Sequence, residues 1–110
     1  MAQMTSTLTT PAMPVSLETT LSGANAADLT RLVEAAFATV IGAERSTRLA
    51  SLNMDFPGAS LPGEAVITTA WIERSTRTLS FVSADIRRKS DRCVIAAASG
   101  VLCLLSNPAD

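Results

Sequence analysis

One stretch of this chain carries helical periodicity without a break, and the stretches around it alternate as strands do. Leu29, Leu32, Val33, Ala36, Phe37, Val40 and Ile41 follow an i, i+3, i+4 rhythm, the mark of a helix with one apolar stripe. Asn25 is a good N-cap for it, and Asp28 three residues on completes a capping-box pattern at the positive helix end. Gly42 is a natural stop. The pattern predicts a helix at about 26–41.

A period-2 strand precedes the helix, with Val15, Leu17, Thr19 and Leu21 alternating with Ser16, Glu18 and Thr20. Ser22-Gly23 breaks it. Four strand-like stretches follow the helix. Ser46 to Phe56 places Ala50, Leu52, Met54 and Phe56 on one face and Ser51, Asn53 and Asp55 on the other. Glu64 to Arg74 is rich in β-branched residues and carries Trp71. Arg77 to Arg87 sets Thr78, Ser80, Val82, Ala84 and Ile86 against Leu79, Phe81, Ser83 and Asp85. Cys93 to Leu105 is the most apolar segment, as expected of a central strand covered on both faces.

The order is strand, helix, then four strands with short links. Short links favour antiparallel strands. A lone helix with an apolar stripe has to bury it on the sheet, so the fold class is α+β, with an antiparallel five-stranded sheet around one central helix. The chain has 110 residues, which fits a single domain, expected over 14–106. The preceding 1–13, rich in Thr, Ser, Ala and Pro, is expected to be a disordered lead-in. It has neither the basic nor the apolar region of a signal peptide.

Composition narrows the chemistry. There is no histidine, which removes the serine triad, the cysteine–histidine pair and most zinc sites. Net charge is −1 and aromatic residues are 4% with no tyrosine, so neither an electrostatic footprint nor a stacking platform for nucleic acid is present. No run reaches the roughly 18 apolar residues that a membrane span needs. The two cysteines, Cys93 and Cys103, fit no metal spacing and cannot bridge each other within one extended strand. They read as buried thiols of a reducing cytoplasm. An apolar share of 47% beside 17% charged residues points to a surface reserved for another copy, giving a dimer or tetramer.

The chain resembles the hotdog fold, and within it the acyl-CoA thioesterases of the phenylacetate-pathway type. The likeness runs over about residues 15–105. It rests on Asn53-Met54-Asp55-Phe56, then Pro62-Gly63-Glu64-Ala65-Val66, then Arg77 through Asp85, with Val94-Ile95-Ala96 opening the last strand. In that family the helix begins with His-Gly-Gly and carries a catalytic carboxylate nine positions after the histidine. Here Asn25-Ala26-Ala27 stands in place of that motif, and Glu34 lies nine positions after Asn25.

The resemblance implies that Glu34 attacks a thioester or activates a water, with Asn25 and Thr47 nearby. Backbone N–H groups of Ala26 and Ala27 would stabilise the oxyanion. It also implies a site between two subunits, an acyl-CoA or related thioester as ligand, and no cofactor or metal. Arg87, Arg88, Lys89 and Arg92 form a basic hairpin that could hold the CoA phosphates, or serve only as a solvated, edge-protecting turn. Thr47 and its neighbour Ser46 could equally just follow a turn.

Glu34 itself has two readings. It lies roughly 125° from the centre of the apolar stripe, beside Ala27, Thr30, Ala38 and Arg31. It is either a solvated glutamate paired with Arg31, worth a few tenths of a kcal/mol, or a carboxylate in a cleft lined by small residues. Three departures from the family weigh on activity: the glycines are gone, the strand-to-helix loop is only Ser22-Gly23-Ala24, and Asp28 brings a negative charge to the helix start. The alternative is therefore a non-catalytic protein of the same fold that binds an acyl or acyl-CoA ligand or serves a structural role. Hotdog hydratases are set aside because they depend on a histidine.

Overall fold

In a computed structural model, residues 13–42 and 45–105 are described. The disordered lead-in expected for residues 1–13 falls, apart from Met13, outside them. The elements are β1 (Val15–Thr20), α1 (Ala26–Ile41), β2 (Thr47–Asp55), β3 (Ala65–Ser75), β4 (Leu79–Arg88) and β5 (Val94–Leu104). One five-stranded antiparallel sheet has the order β1-β3-β4-β5-β2, with α1 against one face. This is the α+β arrangement expected from the periodicities.

The helix forms where its pattern places it. Asn25 Oδ1 accepts the Asp28 N–H at 2.9 Å, and Asp28 Oδ2 accepts the Asn25 N–H at 3.3 Å, closing a capping box. At the other end Gly42 adopts a φ of 99°, which side chains rarely tolerate, and its N–H donates to the Ala38 carbonyl. The apolar stripe of Leu29, Val33, Ala36, Phe37 and Val40 is buried. It packs on Val66, Ala70, Val82, Ala84, Ile86, Ile95, Ala96, Ala98 and Leu102 of the sheet. Each of the larger side chains contributes roughly 1.5–3 kcal/mol by leaving water.

Two expectations are corrected. The first concerns β2. A register shift between Leu49 and Ser51 makes Ala50 an extra residue in the strand. Such a bulge reverses the parity of everything before it. Leu49, Leu52 and Met54 consequently all pack on the core, while Ala50 is exposed; Phe56 is exposed because β2 ends at Asp55, one residue before it. Strict alternation had put Ala50 and Phe56 on the apolar face.

The second concerns β5 and its cysteines. β5 is an interior strand, flanked by β4 and β2, but α1 covers only one of its faces, and Ser99 on the other is exposed. Cys93 lies just before the strand and is exposed, and Cys103 is half-buried, so the buried-thiol reading fails for Cys93.

β2 does not pair with β3, its successor in sequence, but crosses to the far edge beside β5. The helix lies over β1, β3 and β4. The side of the sheet formed by β5 and β2 is filled by side chains, and there the site lies.

Candidate active site

Glu34 is exposed on α1 at the flank that looks toward β2. With Thr47 and Leu49 of β2, Phe37 and Ala38 of α1, and Leu102 of β5, it lines a cavity of about 130 Å³. The β2 bulge makes this possible. Without the extra residue at Ala50, the parity that points Leu52 and Met54 inward would point Thr47 and Leu49 outward. The bulge thus presents the Thr47 hydroxyl and the Glu34 carboxylate to one space.

Arg31 does not pair with Glu34. Its guanidinium turns to Asp28 at 3.6 Å, within the first turns of the helix. Among the described residues, the Glu34 carboxylate makes neither an ion pair nor a hydrogen bond. A carboxylate without a protein partner, beside a hydroxyl and at the mouth of an apolar cavity, can take a proton from water or add to an electrophilic carbon.

A second, larger cavity of about 420 Å³ adjoins the first, sharing Ala38 and Thr47 and continuing along Thr39, Ile41, Gly42 and Arg45. Ala38 and Thr47 therefore stand where the two meet, and Glu34 lines the smaller one alone.

The other residues expected in the site lie elsewhere. Asn25 is held by the capping box, its amide oxygen occupied by the Asp28 N–H. Ala26 and Ala27 are exposed in the first turn of α1, so their N–H groups face out of the helix end. From Ala27 to Glu34 is about 10 Å along the helix axis.

The basic hairpin sits at the same end as the helix start, since the Lys89 N–H donates to Ala65, itself paired with Thr20. Arg87, Arg88 and Lys89 are engaged. Arg88 binds Glu64 at 2.8 Å, Asp91 at 2.9 Å and the Ala59 carbonyl at 2.7 Å. Lys89 binds Glu18 at 2.7 Å, and Arg87 binds Asp85 at 3.3 Å. Asp91 accepts the Cys93 N–H, which together with Arg88 holds its carboxyl below the ordinary value of 3.8. Asp91 and Glu64 in turn raise the Arg88 guanidinium above its ordinary value.

Phe37, Leu49 and Leu102 line the cavity, yet none stood out as a site residue in the sequence, whereas Ala38 was expected there as a small residue on the Glu34 flank. Phe37 reads simply as core. Leu49 was hidden by the bulge, whose one sequence trace is the i, i+3 spacing of Leu49 and Leu52 inside a strand. Among the described residues no cluster of His, Cys, Asp or Glu is arranged to hold a metal, and no helix is long and apolar enough to cross a membrane.

Residues 5–101 match the family model for the acyl-CoA thioesterase N-terminal domain. No curated protein sequence matches the chain. Solved structures do. Zebrafish thioesterase superfamily member 2 is 20% identical with a TM-score of 0.78, over 86% of this chain and 76% of that one. The Escherichia coli PaaI protein of the phenylacetic acid degradation operon is 15% identical with a TM-score of 0.74, over 86% and 72%. A Streptococcus mutans protein bound to acetyl CoA is 11% identical with a TM-score of 0.79, over 87% and 84%. At these identities the likeness is one of fold, and it is the hotdog fold of the thioesterases.

Proposed function

The chain belongs to the acyl-CoA thioesterase N-terminal domain family, and from that premise we propose that it hydrolyses an acyl-CoA thioester with Glu34 as the acting carboxylate. The observation that carries this is the placement of Glu34: unpaired among the described residues, and sharing a cavity with the Thr47 hydroxyl.

As general base, Glu34 takes a proton from water while the water oxygen adds to the thioester carbonyl carbon. The tetrahedral intermediate collapses by breaking the carbon–sulfur bond. The leaving thiolate recovers the proton from the Glu34 carboxylic acid, and free acid and CoA thiol depart. As nucleophile, the carboxylate adds to the carbonyl carbon, the carbon–sulfur bond breaks to expel the thiolate, and water then cleaves the resulting anhydride, its proton passing to the thiolate as Glu34 is freed. Thr47 orients the carboxylate or the water in either course.

The oxyanion needs N–H donors about 3 Å away. Ala26 and Ala27 supply exposed donors, but these point out of the helix end, away from Glu34 of the same chain. A thioester held by one helix start meets Glu34 only if that residue comes from a second copy. The reading therefore includes a dimer, or a pair of dimers, with the site at the seam. Asn25 shapes the donor turn in this scheme. The CoA phosphates lie toward the helix-start end, where Arg92 and the outer faces of Arg87, Arg88 and Lys89 are available once their acid partners are displaced. Two unpaired cysteines agree with a cytoplasmic setting.

Thiol release from acyl-CoA, wild type beside Glu34→Gln, tests this. Turnover lost in the variant with the fold retained supports it. A wild-type protein inert toward short, long and aromatic acyl-CoAs refutes it. One observation favours a second reading, a non-catalytic acyl-CoA binder: the Asp28 carboxylate already occupies an N–H at the helix start. That reading expects thermal stabilisation by ligand without thiol release.

A further inference from the structure

The chamber beside Glu34 has a fixed floor. Phe37 is 1% exposed and Leu102 is 5% exposed. A β-carbon placed on Gly100 would meet Phe37 Cε2 at 3.0 Å, so the ring already lies against the β5 backbone and has nowhere to retreat. The chamber cannot lengthen into the core without unpacking it.

Its volume is about 130 Å³. A protein cavity of about 150 Å³ accommodates a six-carbon ring, so this one has room for about five carbons. Its lining is also uncharged except at the mouth. Phe37, Ala38, Leu49 and Leu102 offer no partner to a carboxylate, the Thr47 hydroxyl is one neutral donor, and the single ionisable group, Glu34, repels one.

We infer that the acyl group this chain accepts is short and uncharged, with butyryl near the optimum. Chains beyond about six carbons meet the Phe37 floor and have to turn out through the open side, and dicarboxylic acyl groups find no cation in the lining. The inference rests on the thioester reading of Glu34 and adds the substrate class to it. The larger trough toward Arg45 is the way out for the thiol arm.

Acetyl-, butyryl-, hexanoyl-, dodecanoyl- and succinyl-CoA are to be compared by thiol release with the full chain. The expected result is a maximum kcat/KM at butyryl and a fall of about tenfold or more for dodecanoyl and succinyl. Leu49→Ala, at a half-buried edge position, should move the optimum up by about two carbons, and Phe37→Leu should do the same from the floor. Circular dichroism checks that both variants fold. Equal or faster turnover of dodecanoyl-CoA, or a profile that neither variant moves, overturns the inference while leaving the thioesterase reading in place.

If no acyl-CoA is turned over, the thioesterase reading fails, and the same series is read by melting temperature against CoA alone. A greater rise with butyryl- than with dodecanoyl- or succinyl-CoA keeps the size and charge limits. A reversed order or no difference overturns them.

Discussion

Phe37 lies so close to Gly100 that a β-carbon added there would stand 3.0 Å from the ring's Cε2 and 3.2 Å from the Ser51 carbonyl oxygen. Helix, interior strand and bulged edge strand meet at that point. Gly100→Ala should therefore destabilise the fold by about 1–3 kcal/mol, since neither a buried ring nor a strand carbonyl yields easily. Urea unfolding measures it, and an unchanged midpoint would contradict the packing described.

Glu34→Gln keeps the shape of the cavity and removes the base. Turnover should fall by about 10²–10⁴, and because the side chain is exposed and unpaired among the described residues, stability should move by no more than about 0.5 kcal/mol. A large loss of stability would mean that the residue has a structural role instead.

Asp28→Asn tests the competition at the helix start. The exchange removes a negative charge from the positive end of α1, at a cost of about 0.3–1 kcal/mol. If the helix-start N–H groups receive the oxyanion, kcat should rise, because the transition state no longer faces a fixed carboxylate. A fall in kcat with the helix intact would show that those groups do not serve the reaction.

Asp91 gives the hairpin an acid-sensitive latch. Its folded-state value lies below 3.8, held there by the Cys93 N–H and by Arg88. A carboxyl depressed in the folded state contributes stability above its unfolded value and loses it as pH falls through the folded one. The melting temperature should therefore decline below about pH 4, and the part due to this latch should be absent in Asp91→Asn. An identical acid response in the variant would remove Asp91 as a cause.

The outward-facing N–H groups at the helix start require a second copy to bring a carboxylate to them. Light scattering at micromolar protein should give at least twice the 11.5 kDa of one chain. A mass equal to one chain would leave Glu34 without an oxyanion donor and end the catalytic scheme.

The helix was legible because its evidence is local. Seven apolar residues on one face, an Asn-Ala-Ala-Asp start and a glycine stop need nothing beyond the segment itself, and α1 runs over the span they indicate. β4 was equally legible, with Ser80, Val82, Ala84 and Ile86 buried in alternation. β2 was not. One extra residue at Ala50 has no distinct composition, yet it reverses two side chains that matter, Thr47 and Leu49. The engagement of Arg88 by Glu64 and the Ala59 carbonyl was also out of reach, because both lie in the β2–β3 connection, 24 and 29 residues before it.

The order of residues alone determined a capped amphipathic helix bearing an acid on its flank, five strands, and a chemistry without imidazole. All of these follow from neighbours a few positions apart, whose spacing is set by helix pitch and strand pleat. The tertiary structure decided which strand stands beside that acid. β2 bypasses β3, joins β5 at the sheet edge and bulges there, so a hydroxyl and two leucines enclose the space beside Glu34. Strand pairing of this kind is a contest among distant segments for the same hydrogen bonds and the same buried area, and it is settled only when the whole core packs.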